Sequence, residues 1–405
     1  MIGDALASML GELEPVGRDA ATGGYNRFAW TAEDLACREW FERQADARNL
    51  HHDRDQNGNL WAWFPSPPQP GGRVVAVGSH LDSVPGGGAF DGPLGVISAF
   101  LAVDELRRDQ SWRQQSTIGV VDFADEEGAR FGLACVGSRL LTGAADPQRV
   151  LTLEDAGGVL MAQAMAAGGL DPGRAGRDDV RLGQLASFVE LHVEQGRALD
   201  DLGHPVGLAT MIWPHGRWRI DLAGVPNHAG TTPIGDRRDP TIPLAAAVLA
   251  ARTAAAERQA RATVGRIRVV PNSTNSVPGA ATAWLDARAA DEASLEEIVA
   301  EVELAVRESA AAEHVEASMT EESRTPAVLF DEELRARLNG VLGGIPEIPT
   351  GAGHDAGILA AQVPTAMLFV RNRTGISHSP AEHADLDDCV AGVEALSRVL
   401  RELAG

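Results

Sequence analysis

The chain has 405 residues, 35 basic against 57 acidic side chains, a formal charge of −22 and 44% hydrophobic residues. At roughly 100–200 residues per domain this length calls for two domains, and the acidic balance disfavours nucleic acid and anionic membranes as partners. Every basic residue is an arginine, which excludes a lysine Schiff base, a Walker-type phosphate lysine and any lysine nucleophile.

The N-terminal run MIGDALASMLGELEPVGRD carries acids where a secretory signal needs a basic region. No apolar run approaches the roughly 18–20 residues of a membrane span. Cys37, Cys135 and Cys389 form no CxxC pair and read as small buried hydrophobes of a reducing compartment. A cytoplasmic location is expected. In chain order, AEDLACREWFERQADARNL shows helical spacing, and 57–64 (NGNLWAWF) reads as a strand before the Pro/Gly loop at 65–72. The valine-rich run 73–84 (RVVAVGSHLDSV) has the pattern of a buried parallel strand, and 94–109 of the following helix. Strands are expected again at 116–128, ending in three carboxylates, and at 187–196 (SFVELHVEQG). This alternation predicts an α/β fold with a mainly parallel sheet. In such sheets function collects beyond the C-terminal strand ends, where these three strands carry His, Asp or Glu.

The pattern changes near residue 212. Strands at 217–224, 264–270, 281–289 and 315–321 and helices at 241–261 and 294–312 give the order β-α-β-β-α-β of a ferredoxin-like unit. An inserted domain is therefore expected over 212–324, within a domain formed by 1–211 and 325–405. A helix near 331–342, a strand at 365–370 and a last helix from about 386 complete the second part.

The chemistry concentrates in a few of the 11 histidines. His51, His52, His204 and His314 stand in polar loop or helix-end settings and read as surface residues. His80 and Asp82 are i and i+2 at a strand end and face the same way, so Asp82 can orient His80 at a metal. Asp91 follows the glycine-rich run PGGGAFDG, flexible enough to return it to His80; without lysine or a GKS/GKT sequence this run is not a phosphate loop. Asp125, Glu126 and Glu127 at an apolar strand end would repel one another and call for a cation. Neighbouring glutamates point apart, so one can bind metal while the other holds water, the division that metal-assisted hydrolysis needs. His192 and His378 add nitrogen ligands. The mixed N/O set suggests two divalent ions of the Zn, Mn, Co or Ni type and disfavours Ca or Mg.

GSHLDSVPGGGAFDGPLGV, DFADEEGARFG, ELHVEQG, PNHAGTTP, NSVPG with LDAR, GAGHDA and ISHSPAEH occur in the order found in binuclear metal amidohydrolases, which the chain resembles from about 15 to 400. That group holds N-carbamoyl-L-amino-acid hydrolases, allantoate amidohydrolases and β-ureidopropionases, more distantly aminoacylases and carboxypeptidases. The resemblance implies a metallopeptidase-like catalytic domain and an inserted lid that also dimerises. It implies Asp91 bridging two metals, His80 and His192 on one, Glu127 and His378 on the other. Glu126 would be the general base, with Asp82 supporting His80. His228 would polarise the scissile carbonyl, from the same or the partner subunit. Asn275 and Arg288 would hold a substrate carboxylate with Gln195 nearby. Arg217 and His215 would touch substrate or form a hinge, and His354 would lie at the site or pack a helix start. The expected reaction is ureido C–N hydrolysis, N-carbamoyl-L-amino acid to L-amino acid, carbon dioxide and ammonia. Allantoate amidohydrolase is the near alternative, followed by β-ureidopropionase, aminoacylase or exopeptidase, and remotely a non-catalytic metal scaffold.

Overall fold

The structure is a computed structural model describing residues 1–405. The chain divides into two compact units, Met1–Thr210 with Leu329–Gly405, and Met211–Val328. No helix is long and apolar enough to cross a membrane.

The first unit is built on one nine-stranded sheet. Its strands are β1 (His51–Arg54), β2 (Leu60–Phe64), β3 (Val74–His80), β4 (Thr117–Phe123), β5 (Leu185–Val193) and β6 (Val206–Ile212). The second unit contributes β7 (His215–Ala223), β8 (Asn227–His228), β9 (Arg261–Val270), β10 (Ser276–Val277), β11 (Ala280–Arg288) and β12 (Glu316–Thr325). β13 (Val328–Leu329), β14 (Glu347–Thr350) and β15 (Thr365–Val370) complete the first sheet, ordered β1-β2-β4-β3-β5-β15-β6-β13 with β14 on β6.

The centre of this sheet, β4-β3-β5-β15, is parallel. Its flanks are antiparallel, β1 on β2, β2 on β4 and β6 on β15. All seven residues of β3 and all six of β15 are buried, which is why they read as continuous apolar runs and not as alternating ones. Helices Ile2–Leu13, Pro93–Arg108 and Leu386–Ala404 pack into the core around them. Each fully buried Val, Leu, Ile or Phe there contributes about 1.5–3 kcal/mol.

Two expectations differ in detail. The strand foreseen at 57–64 begins only at Leu60, because the Asp55 carboxylate takes the backbone N–H of Asn57 and Asn59 and closes a turn there. His51 and His52, read as surface residues in polar loop or helix-end settings, lie on the edge strand β1, where His51 is exposed and His52 half-buried. Between β4 and β5 the chain also makes short helices at Val136–Thr142, Pro147–Leu151, Met161–Ala167 and Asp179–Gln184. They are too short to show a helical period.

The second unit is a four-stranded antiparallel sheet, β12-β7-β11-β9, with helices Thr241–Glu257 and Glu292–Ala312. This is the ferredoxin-like order expected from the element pattern. β11 alternates buried and half-buried residues, and its buried face packs Ala281, Ala283, Leu285 and Ala287 under Ile298 and Val302 of the second helix. Asp291 starts that helix by accepting the Ser294 N–H.

Candidate metal centre

The four central strands are neighbours, and each releases chemistry at its C-terminal end. His80 is the last residue of β3, His192 the penultimate residue of β5. Asp125, Glu126 and Glu127 follow β4, and His378 follows β15. Asp91 stands two residues before Pro93, the first residue of its helix. Gly92 between them has φ +83°, and a Cβ there would lie 2.6 Å from the His80 ring. Only glycine lets the backbone carry Asp91 so close to His80. Asp125 and His378 also adopt left-handed backbone, φ +55° and +53°. For residues with a side chain this is a strained turn of the sort that concentrates at functional sites.

The side chains converge on Asp91. Its Oδ1 lies 3.5 Å from His80 Nε2 and 3.2 Å from His192 Nε2. Its Oδ2 lies 3.6 Å from His378 Nε2, which in turn is 3.6 Å from Glu127 Oε1. His80, Asp91 and His192 thus form one possible ligand group, and Asp91, Glu127 and His378 another. Glu126 belongs to neither; its Oε2 lies 3.8 Å from His80 Nε2. Its Oε1 accepts the Cys135 thiol at 3.5 Å.

The imidazole tautomers follow from their partners. His192 Nδ1 meets the Val193 carbonyl at 2.8 Å, and His80 Nδ1 meets the Asp82 carbonyl at 3.2 Å. A carbonyl only accepts, so Nδ1 carries a hydrogen and Nε2 is the nitrogen turned toward Asp91. Both Nε2 atoms are buried and have no hydrogen-bond partner. Asp82 lies 3.5 Å from His80 Nδ1 and also accepts the backbone N–H of Glu126 at 3.1 Å and of Glu127 at 3.0 Å. One carboxylate therefore fixes His80 and the strand end that carries Glu126 and Glu127.

The electrostatics ask for a cation. Burial, then Glu127, Asp355 and Asp82, pushes the Glu126 carboxyl well above its usual range, although His80 opposes this. Burial, then Asp91, pushes Glu127 up to about 8. Burial would also raise Asp91, but His192 and His80 hold it well below the carboxylate range. Buried acids that cannot all ionise, beside buried imidazole nitrogens without a hydrogen-bond partner, fit a divalent metal centre.

The remaining expected residues fall in distinct places. Gln195 donates to Asp91 Oδ2 at 2.8 Å. His354 is buried with its ring 4.5 Å from that of His192, and burial, then His192, holds it well below its ordinary pKa. In the second unit, β8 pairs with β10 so that His228 faces Ser276, and Ala229 donates to the Asn275 carbonyl. His228 Nδ1 accepts the Gly230 N–H, which leaves its hydrogen on the exposed Nε2. On β7 and β11, Arg217 pairs in register with Asp286, and His215 with Arg288. Arg288 bonds Asp286 at 2.9 Å, and Arg217 approaches the same carboxylate at 3.8 Å.

The sequence reading missed Glu190, Ser377 and Glu382. Glu190 is fully buried, takes Ser79 Oγ–H and the Ala356 N–H, and forms a third possible ligand group with His192 and His354. Its place two residues before His192 on β5 puts it on the same face, a signal that was available. Ser377 and Glu382 lie beside His378 in sequence but carried no spacing that marked them.

A parallel-centred α/β unit with an acidic, histidine-rich centre at its strand ends defines a metal-dependent hydrolase. Residues 76–402 match the peptidase family M20/M25/M40, and the chain belongs to that family. It is 36% identical to an N-carbamoyl-L-amino acid amidohydrolase of Geobacillus stearothermophilus, over 99% of this chain and 98% of the relative. It is 34% identical to an allantoate amidohydrolase of Escherichia coli K12, with the same coverage. A solved amidase of the hydantoinase/carbamoylase family from Burkholderia vietnamiensis superposes with a TM-score of 0.87 at 29% identity, covering 99% of this chain and 97% of that one.

Proposed function

We propose that the protein hydrolyses a ureido C–N bond, with N-carbamoyl-L-amino acids as substrates. The observation that carries this is Asp91, whose two carboxylate oxygens face two separate ligand groups while Glu126 stands free beside them. The donor chemistry suits two ions of the Zn, Mn, Co or Ni type. His80 and His192 would hold one and Glu127 and His378 the other, with Asp91 common to both. When bound, such ions polarise a carbonyl and lower the pKa of water.

The chain's own residues supply the proton traffic and the grip. Glu126 takes the proton of the water that attacks the ureido carbonyl, and then gives it to the leaving nitrogen. The hydrogen on His228 Nε2 suits it to stabilise the oxyanion. Arg288, which here bonds Asp286, would turn its fork to the substrate carboxylate, with Asn275 beside His228 and Arg217 flanking Asp286. Gln195 would stand near the substrate carboxylate, and His354 would support the site beside His192. The carbamate released with the amino acid falls apart to ammonia and carbon dioxide. The second unit acts as lid and dimerisation surface; a monomer in sedimentation at micromolar concentration would count against the dimer.

Allantoate is the second reading, favoured by the relative from Escherichia coli, since the same carboxylate and ureido groups are presented. The test of the shared mechanism is Glu126→Gln. Metal content is expected to stay at the wild-type level while turnover falls about 10²–10⁴-fold, the usual worth of a general base. Wild-type turnover in that variant would sink the assignment.

A further inference from the structure

The glycine-rich run PGGGAFDG carries Asp91 as its penultimate residue, and the sequence suggests flexibility for it. The structure gives it another use. A Cβ at Gly88 would fall 2.3 Å from the carboxylate carbon of Glu382, so the loop passes directly over that side chain. Glu382 is buried. Its Oε1 accepts the backbone N–H of Phe90 at 2.9 Å and of Asp91 itself at 3.0 Å. Its Oε2 lies 3.2 Å from Ser377 Oγ, and the same hydroxyl lies 3.0 Å from Asp91 Oδ2. Glu382 belongs to neither ligand group that contains Asp91.

One short segment, 377–382, thus holds Asp91 at both ends. Glu382 takes its backbone, Ser377 touches its carboxylate, and His378 between them faces the same oxygen at 3.6 Å. Asp91 is the residue common to both ligand groups, so whatever fixes its rotamer and its loop fixes both groups together. We propose that Glu382, acting with Ser377, is the positioning residue for Asp91, and that it ties the loop bearing His378 to the loop bearing Asp91 so that the two ligand groups form as one. This rests on the proposed metal centre. Glu382 touches neither substrate nor metal in this role; it acts through Asp91.

The role can be separated from that of a ligand or a proton donor. A glutamine at 382 keeps an oxygen for the two backbone N–H groups, and its amide can donate to Ser377 Oγ, which frees the serine hydrogen for Asp91. An alanine keeps none of this. The experiment uses the full chain reconstituted with Mn or Zn and dialysed. It compares metal per chain by mass spectrometry, kcat and KM, and the melting temperature under chelator, for Glu382→Gln, Glu382→Ala and Ser377→Ala. Glu382→Gln should stay close to wild type. Glu382→Ala should lose about 10–100-fold in metal affinity or kcat, the usual cost of removing a group that orients a ligand, with KM little changed. Ser377→Ala should show a smaller loss in the same direction with an unchanged melting temperature under chelator, and it decides the matter if Glu382→Ala does not fold. Wild-type metal content and kcat in Glu382→Ala or in Ser377→Ala would overturn the proposal. So would a glutamine variant as impaired as the alanine one, because the charge itself would then be needed. A wild-type chain that binds no metal would remove the centre and the positioning role together; a metal-bound, active wild type with an indifferent Glu382→Ala would remove the positioning role alone.

Discussion

Asp82 makes contacts that few single residues make. It sits against His80 Nδ1 and takes the N–H groups of Glu126 and Glu127, 44 and 45 positions away. Truncating it leaves the buried Glu126 N–H without a partner, at about 1–3 kcal/mol, and the half-buried Glu127 N–H at less, and frees the His80 ring. Asp82→Ala should therefore lower kcat about 10–100-fold and lower the melting temperature, while KM stays near wild type. Steady-state kinetics with metal analysis checks this; wild-type kcat would contradict it. Half of this role was legible. The i, i+2 spacing at a strand end placed Asp82 beside His80, because that relation is local. The grip on the Glu126 strand end was not legible, since nothing in a linear pattern states that β3 and β4 are parallel neighbours. The same limit hid Glu382, whose partners Phe90 and Asp91 lie 292 and 291 residues away.

At the scale of elements, valine-rich strands that end in His, Asp or Glu revealed both the parallel sheet and the edge of it where chemistry gathers. The order β4-β3-β5-β15 came only with the structure, and with it the reason that four distant segments share one centre. The left-handed turns at Asp125 and His378 gave no sign in the sequence, because neither residue is glycine. Gly92 is the case where glycine does mark such a turn. Gly92→Ala brings a methyl within 2.6 Å of the His80 ring at φ +83°. The expected cost is about 1–3 kcal/mol of backbone strain together with loss of bound metal, read by chemical denaturation and by metal analysis. An alanine variant with full metal content would show that the loop tolerates the displacement.

For the whole molecule, the inserted unit was legible because its β-α-β-β-α-β pattern differs in kind from the alternation around it. The acid-rich centre also makes a prediction about stability. Without metal, burial, then Asp91, holds Glu127 at about 8, and burial, then Asp91, holds Glu382 at about 7, both above the ordinary 4.5. The folded chain then binds more protons than the unfolded one between about pH 5 and 8, so metal-free stability falls as pH rises through that window. A bound metal would supply the missing positive charge and favour the ionised carboxylates. The gap in melting temperature between metal-loaded and chelated protein should widen from pH 5 to pH 8; a constant or narrowing gap would contradict a metal centre at Glu127 with Glu382 beside it.

The most direct test is ammonia release from N-carbamoyl-L-amino acids, allantoate and N-carbamoyl-β-alanine by protein reconstituted with Mn or Zn, beside a chelated control. An N-acetyl amino acid, followed by amine release, completes the set. Metal-dependent turnover led by the N-carbamoyl-L-amino acids is the predicted result. Allantoate in first place would keep the mechanism and change the substrate. Silence on every ureido compound, with cleavage of the acetyl compound alone, would contradict the account.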